Sequence, residues 1–292
     1  MLVKGSNCTV TIRTQHRAMD VPYSEETIRE AVSLLHEEAP IEGDGINRAI
    51  RKSNGVTGCV VTPLTIGTAP LLLYLAMGVS GCAKMRPVFV SETRDLYQYR
   101  LNLLPIEDAD CFDLIQDRAE SNERRLYESC GVKEFELRII RDETIKMKLD
   151  FTSERSPVVY SYTDRHFKET GERFSGENVG YLINGKEYTN IYGLTLAAKK
   201  EGGTRTELWI RRILNINIDL PQVIDELTIT ARLLRDKYEE RRFGMFRITV
   251  KGLVLTSDET NVNSVDTVIG PLRYYVSGAV FTEVFNSGEA FL

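Results

Sequence analysis

The chain has 292 residues, 42% of them hydrophobic and 27% charged, enough for one large or two small cores and too apolar for global disorder. Its formal net charge of −5 leaves no basic excess to hold nucleic acid by its phosphates. Five cysteines, Cys8, Cys59, Cys82, Cys111 and Cys130, form an odd set without a CxxC pair, which argues against a disulfide framework or a zinc site and for a reducing, intracellular setting.

The first residues, Met1 to Ser6, have no long apolar core of a signal peptide. Ser24 then caps an expected amphipathic helix over residues 25–38. Glu25 and Glu26 suit its positive end, and Ile28, Ala31, Val32 and Leu35 fall on one helical face. Residues 42–48 and the pair Asn54-Gly55 carry turn chemistry. Residues 59–62 read as a strand. Thr68 opens a short helix with Pro70 in its first turn and Gly78 at its end. That helix is apolar nearly all round, so it must be buried in the core or between subunits. With its flanks it reaches about half the length needed to span a membrane.

Residues 109–120 fit a helix by local pattern. Residues 133–151 alternate apolar and polar positions on two arms around Arg141, Asp142 and Glu143, the signature of a half-buried β-hairpin. Residues 153–180 read as a long connection. A second hairpin spans residues 188–220 around Gly202-Gly203. Residues 227–234 form a strand, residues 235–243 a short charged helix, and Phe246, Ile248 and Val250 begin another strand. In the last strand, residues 272–285, Leu272, Tyr274, Val276, Val280 and Val284 line one face, and Tyr275, Ala279, Phe281 and Phe285 the other. A strand apolar on both faces needs cover on both. Tyr274, Tyr275, Phe281 and Phe285, with Leu72 and Leu75 of the apolar helix, are therefore the candidate inter-subunit contacts. The expected division is an N-terminal arm (1–54), a first β module (55–160) and a second (161–292).

No catalytic constellation is evident. His16, His36 and His166 lie at no metal spacing, and Asp108, Asp110, Asp113 and Asp117 lack the glycine and glutamate of a calcium loop. No phosphate-binding or nucleophile motif is present. Cys59 and Cys130 read as small core residues. The expectation is a protein without catalytic, cofactor or metal residues.

Two segments carry a resemblance. Gly55-Val56-Thr57-Gly58-Cys59-Val60-Val61-Thr62-Pro63-Leu64 leads to a helix ending Leu75-Ala76-Met77-Gly78. Arg124-Arg125-Leu126-Tyr127-Glu128-Ser129-Cys130-Gly131-Val132 leads to Phe135-Glu136-Leu137-Arg138 and the returning arm Ile145-Lys146-Met147-Lys148-Leu149-Asp150-Phe151. Together they resemble the tail tube proteins of long-tailed bacteriophages. The resemblance runs over about residues 55–220 and turns residues 111–118 into a strand. It implies a mainly β, antiparallel sandwich or barrel with short flanking helices, and a structural role rather than an enzymatic one. It also implies self-association into rings, as a hexamer or a pseudo-hexameric trimer, stacked into a tube. Its partners would be tape measure, terminator and distal tail proteins. DNA would pass the lumen without specific binding, and no membrane or cofactor is involved. The implied location is the virion tail, assembled in the host cytoplasm, with an acidic or neutral lumen. Competing readings are another tail, baseplate or contractile-injection tube component, or an enzyme or binding module on a β-sandwich.

Overall fold

The computed structural model describes residues 8–15, 18–36, 49–85, 96–105, 108–118, 123–161, 171–200, 203–212, 220–235, 242–262 and 267–287. It is mainly β, with antiparallel pairing throughout, and the sheet is not closed into a barrel. The first half contains β1 (Cys8–Arg13), β2 (Ala18–Val21), β3 (Glu25–His36), β4 (Ala49–Pro63), α1 (Ala69–Met77), β5 (Gly81–Met85), β6 (Leu96–Asn102), β7 (Phe112–Arg118), β8 (Glu123–Ile140), β9 (Lys146–Ser153) and β10 (Val158–Ser161). The second contains β11 (Val179–Ile183), β12 (Lys186–Tyr188), β13 (Ile191–Lys199), β14 (Arg205–Arg212), β15 (Val223–Arg235), β16 (Arg242–Val262), β17 (Thr267–Val276) and β18 (Val280–Ser287).

The two halves repeat one topology. In the first, β1 pairs β2 and β7, β7 pairs β8, β8 pairs β9 and β10, and β4 lies between β3 and β9. In the second, β11 pairs β12 and β15, β15 pairs β16, β16 pairs β17 and β18, and β14 lies between β13 and β17. Two irregularities of β8 recur in β16, whose further register shift between Asp258 and Thr260 has no counterpart in the β8–β9 ladder. β8 turns from one sheet into another at Ser129 (φ 53°), and β16 does so at Gly252 (φ 67°). Each then carries a bulge against its hairpin partner, at Lys133 in β8 and at Thr256 in β16. A bulge re-aims a strand and is not produced by chance at matched positions. The segment α1–β5–β6 is an insertion found only in the first half. It still reaches the second, because β6 pairs β18.

These ladders build a row of eight strands, β3-β4-β9-β8-β13-β14-β17-β16, joined at mid-row by the β8–β13 ladder. A second layer, β12-β11-β15-β16-β18-β6-β5, shares β16 with it. Strands that switch sheets at a bend are the usual way to make such corners. The core is one cluster. Phe135, Leu137 and Ile139 of β8 belong to it, with Leu149 and Phe151 of β9, Leu194 and Leu196 of β13, and Phe246 and Ile248 of β16. The boundary expected at residue 160 falls within β10, and the β8–β13 ladder joins the residues on either side of it. The expected separate arm, 1–54, supplies β1 to β3 and the start of β4, so it belongs to the first repeat.

Every residue of α1 is buried, as its all-round apolar surface demands. Its N-cap differs from expectation. The Thr68 hydroxyl does not bond the helix start; it meets Thr65 Oγ1 at 2.9 Å. Gly78 ends the helix at φ 92°, and a Cβ there would lie 2.4 Å from Leu104 Cδ1.

The helix expected over 25–38 is wrong; residues 25–36 form β3, and the remainder lies outside the described residues. The ladder to β4 runs from Glu25↔Val61 to His36↔Ala49. Such long-range pairing overrides the weak preference expressed by local spacing. Where a helix was expected over 109–120, residues 112–118 form β7, as the resemblance implied, and 119–120 lie outside the described residues. The charged helix at 235–243 is not supported: Arg235 ends β15, Arg242 begins β16, and 236–241 lie outside the described residues. The loop at 42–48 also lies outside them. The connection at 153–180 contains β10 and a 3-10 turn at Gly176–Asn178.

Candidate assembly surface

Two edges of the eight-strand row lack a partner among the described residues. One is the outer edge of β3. The other is the far half of β16. There β15 accompanies β16 only to the pair Val223↔Val254, with one further bond from Leu255 N–H to the Gln222 carbonyl. An unpaired edge offers a line of backbone donors and acceptors to another chain. The internal seam shows what such an edge accepts. Seven consecutive positions pair there, from Gly193↔Ile140 to Lys199↔Glu134.

The six candidate contact residues separate. Leu72, Leu75 and Tyr274 are 0%, 2% and 1% exposed, inside the chain's own core. A side chain with no accessible surface offers nothing to a second chain in this conformation. The Tyr274 hydroxyl also donates to the Pro221 carbonyl at 3.1 Å. Tyr275 and Phe281 are 40% and 38% exposed, and Phe285 is half-buried. The last strand is in fact two, β17 and β18, broken at residues 277–279 where Ser277 N–H donates to the Gly252 carbonyl. Within the chain one face of that pair is buried, and the face carrying Tyr275 and Phe281 is open.

Tyr275 lies in an apolar row, opposite Val254, which lies opposite Val223. All three are exposed. The row continues along the solvent face as Glu207, Ala197, Glu136, Lys148, Val61 and Glu25. One row over are Arg273, Trp209, Thr195, Arg138 and Lys146. On the other side run Arg205, Lys199, Glu134 and Asp150. Near pairs within the face are Lys148–Asp150 at 2.7 Å and Arg205–Glu207 at 3.1 Å. In the three rows six bases (Arg138, Lys146, Lys148, Lys199, Arg205, Arg273) stand against five acids (Glu25, Glu134, Glu136, Asp150, Glu207), so the face is close to neutral.

Other groups are occupied structurally. Arg13–Asp113 and Arg124–Asp117 are ion pairs of 2.7 and 2.5 Å, and the Tyr74 hydroxyl donates to Asp110. The Ser129 N–H donates to Asp113 Oδ1 at 2.9 Å, steadying the β8 corner. Burial pushes the Cys59 thiol up to about 11 and the Cys130 thiol up to about 12, so neither forms appreciable thiolate at neutral pH. Among the described residues no group of three or more His, Cys, Asp or Glu is disposed to hold a metal. His36 is on β3; His16 and His166 lie outside the described residues. No described helix is long and apolar enough to cross a membrane.

The sequence reading missed the two open edges. The signals lay in the matched corner and bulge positions of β8 and β16, which are visible only once pairing is known. No family model matches the chain, and no curated protein matches it.

Proposed function

We propose that this chain is a structural subunit that closes edge to edge into rings and stacks into a tube, as the tail tube proteins it resembles do. The observation that carries this reading is the repeated sheet. Each chain holds two copies of one four-strand unit, already joined at β8–β13, with an edge at each end of the row that no described residue pairs. A heterologous contact of this kind either closes into a ring or propagates as a filament. Two repeats per chain favour the pseudo-hexameric trimer over the hexamer. The phage-tail part of the reading rests on the sequence resemblance.

The dimensions agree with a conduit. Three chains would align about 24 strands, and at about 4.8 Å per strand the ring would be about 115 Å around and about 37 Å across. Side chains reaching about 5 Å inward leave a channel of about 27 Å, enough for a nucleic-acid duplex. The other face of the row packs on the core, so the banded solvent face would line that channel. Alternating signs give a duplex no continuous basic track to grip. Negative-stain electron microscopy of the purified protein tests the reading. Rings or hollow filaments are the expected outcome; strictly monomeric particles at high concentration would overturn it.

A further inference from the structure

Resting on that assembly reading, we propose that one chain joins the next by pairing the far half of β16 with β3, in the register of the β8–β13 ladder. The internal seam is the template. β8 and β16 share the corner at Ser129 and Gly252 and the bulge at Lys133 and Thr256. In the first repeat β7 accompanies β8 to Cys130, and β13 takes over from Glu134. In the second, β15 accompanies β16 to Val254, and beyond Thr256 no described residue pairs with that edge. The strand that would take over is the counterpart of β13.

That counterpart is β3. Leu194 of β13 pairs Ile210 of β14, and Glu26 of β3 pairs Val60 of β4. β4 and β14 are themselves matched, since Val56↔Ser153 stands where Thr206↔Val276 stands. Gly193, Leu196 and Ala197 therefore correspond to Glu25, Ile28 and Arg29. Carried across, Leu196↔Leu137 becomes Ile28↔Thr260, and Ala197↔Glu136 becomes Arg29↔Glu259. A base on one chain then falls opposite an acid on the next, a favourable facing pair; the register itself comes from the internal seam. The same register sets Glu30 opposite Asp258, a like-charge pair it does not avoid.

The test is a cross-link between facing positions. In the Arg29→Cys/Glu259→Cys protein, mild oxidation after assembly is expected to give covalent dimers and trimers on a non-reducing gel. Facing Cβ atoms in a ladder are within reach of a disulfide. The parent protein, with its own cysteines, and each single variant should stay monomeric on that gel. Arg29→Glu should weaken assembly about fivefold per seam, and adding Glu259→Arg should restore it. Rings without the cross-link and without charge rescue overturn the seam while leaving the assembly reading intact. Absence of any assembly, in parent and variants alike, overturns both.

Discussion

Strands β3 and β13 hold the same place in the two repeats but not the same surroundings. Leu194, Leu196 and Ala198 of β13 are each 1% exposed, covered on one side by β8. Their counterparts on β3 begin with Glu26 and Ile28, both half-buried, on an edge that nothing covers among the described residues. Topology was kept and composition changed. The interior copy became apolar because it is permanently paired; the outer copy kept charge, as an edge strand does to stay soluble when alone. The difference distinguishes a seam built into the chain from a seam left for a partner.

The sharpest way to break this comparison is to truncate both strands at matched positions. Leu196→Ala removes a fully buried side chain and should cost about 2–5 kcal/mol in urea unfolding. Ile28→Ala should cost less than about 1 kcal/mol when measured at concentrations where the chain is monomeric, yet reduce assembly. Equal losses in the monomer would mean that β3 is as fully packed as β13, and the open-edge argument would fail.

This contrast also explains what could be read beforehand. The β8–β9 and β13–β14 hairpins were legible because strict alternation and turn residues are local signals. α1 was legible because no polar face breaks it. β3 was not. Ile28, Ala31, Val32 and Leu35 satisfy helical spacing, and what decides for strand is β4, more than a dozen residues away. The duplication was legible only as a hint, two halves sharing a hairpin and a strand in different order, for a related reason. The α1–β5–β6 insertion disrupts the apparent order of elements, and the repeats agree in pairing and bulges rather than in residue identity. For the assembly surface, apolar patterning singled out Tyr275 and Phe281, which the single chain leaves exposed. It could not separate them from Tyr274, which differs only in the face of the sheet it occupies.

A smaller effect is expected where the covered seam ends. Lys200 follows β13, is 1% exposed, and its Nζ has no hydrogen-bond partner among the described residues. Burial lowers its pKa to about 8. In the unfolded chain it titrates near 10.5. Below pH 8 the ammonium is charged in both states and the fold carries the full cost of burying it. Between pH 8 and 10.5 the unfolded chain binds more protons, so stability rises with pH. At about 1.4 kcal/mol per pKa unit the relief is on the order of 3 kcal/mol. Lys200→Met should therefore stabilise the fold at pH 7, with the advantage fading by about pH 10.5. The raised pKa values of Cys59, Cys130, Tyr74 and Tyr181 act in the opposite sense above about pH 9. Subtracting variant from parent, in denaturant titrations across that range, cancels them. A pH-independent difference would mean that Lys200 is solvated in solution.

The smallest effect tests the equivalence of the repeats most directly. Ser129 and Gly252 both hold positive φ at the point where β8 and β16 change sheets. A serine pays a steric penalty there that a glycine does not. Ser129→Gly should thus be neutral or stabilising by up to about 1 kcal/mol, the relief of strain offset by greater freedom of the unfolded chain. Gly252→Ser should destabilise by about 1 kcal/mol or more, because its Cβ would also approach Ser277 Oγ at 3.0 Å and Gly278 N at 3.1 Å. The Asp113 carboxylate that receives the Ser129 N–H remains in place in the first variant, so backbone freedom is the only change at that corner. A loss for Gly252→Ser without a loss for Ser129→Gly, read from denaturant midpoints, is what one shared corner occupied by two different residues requires.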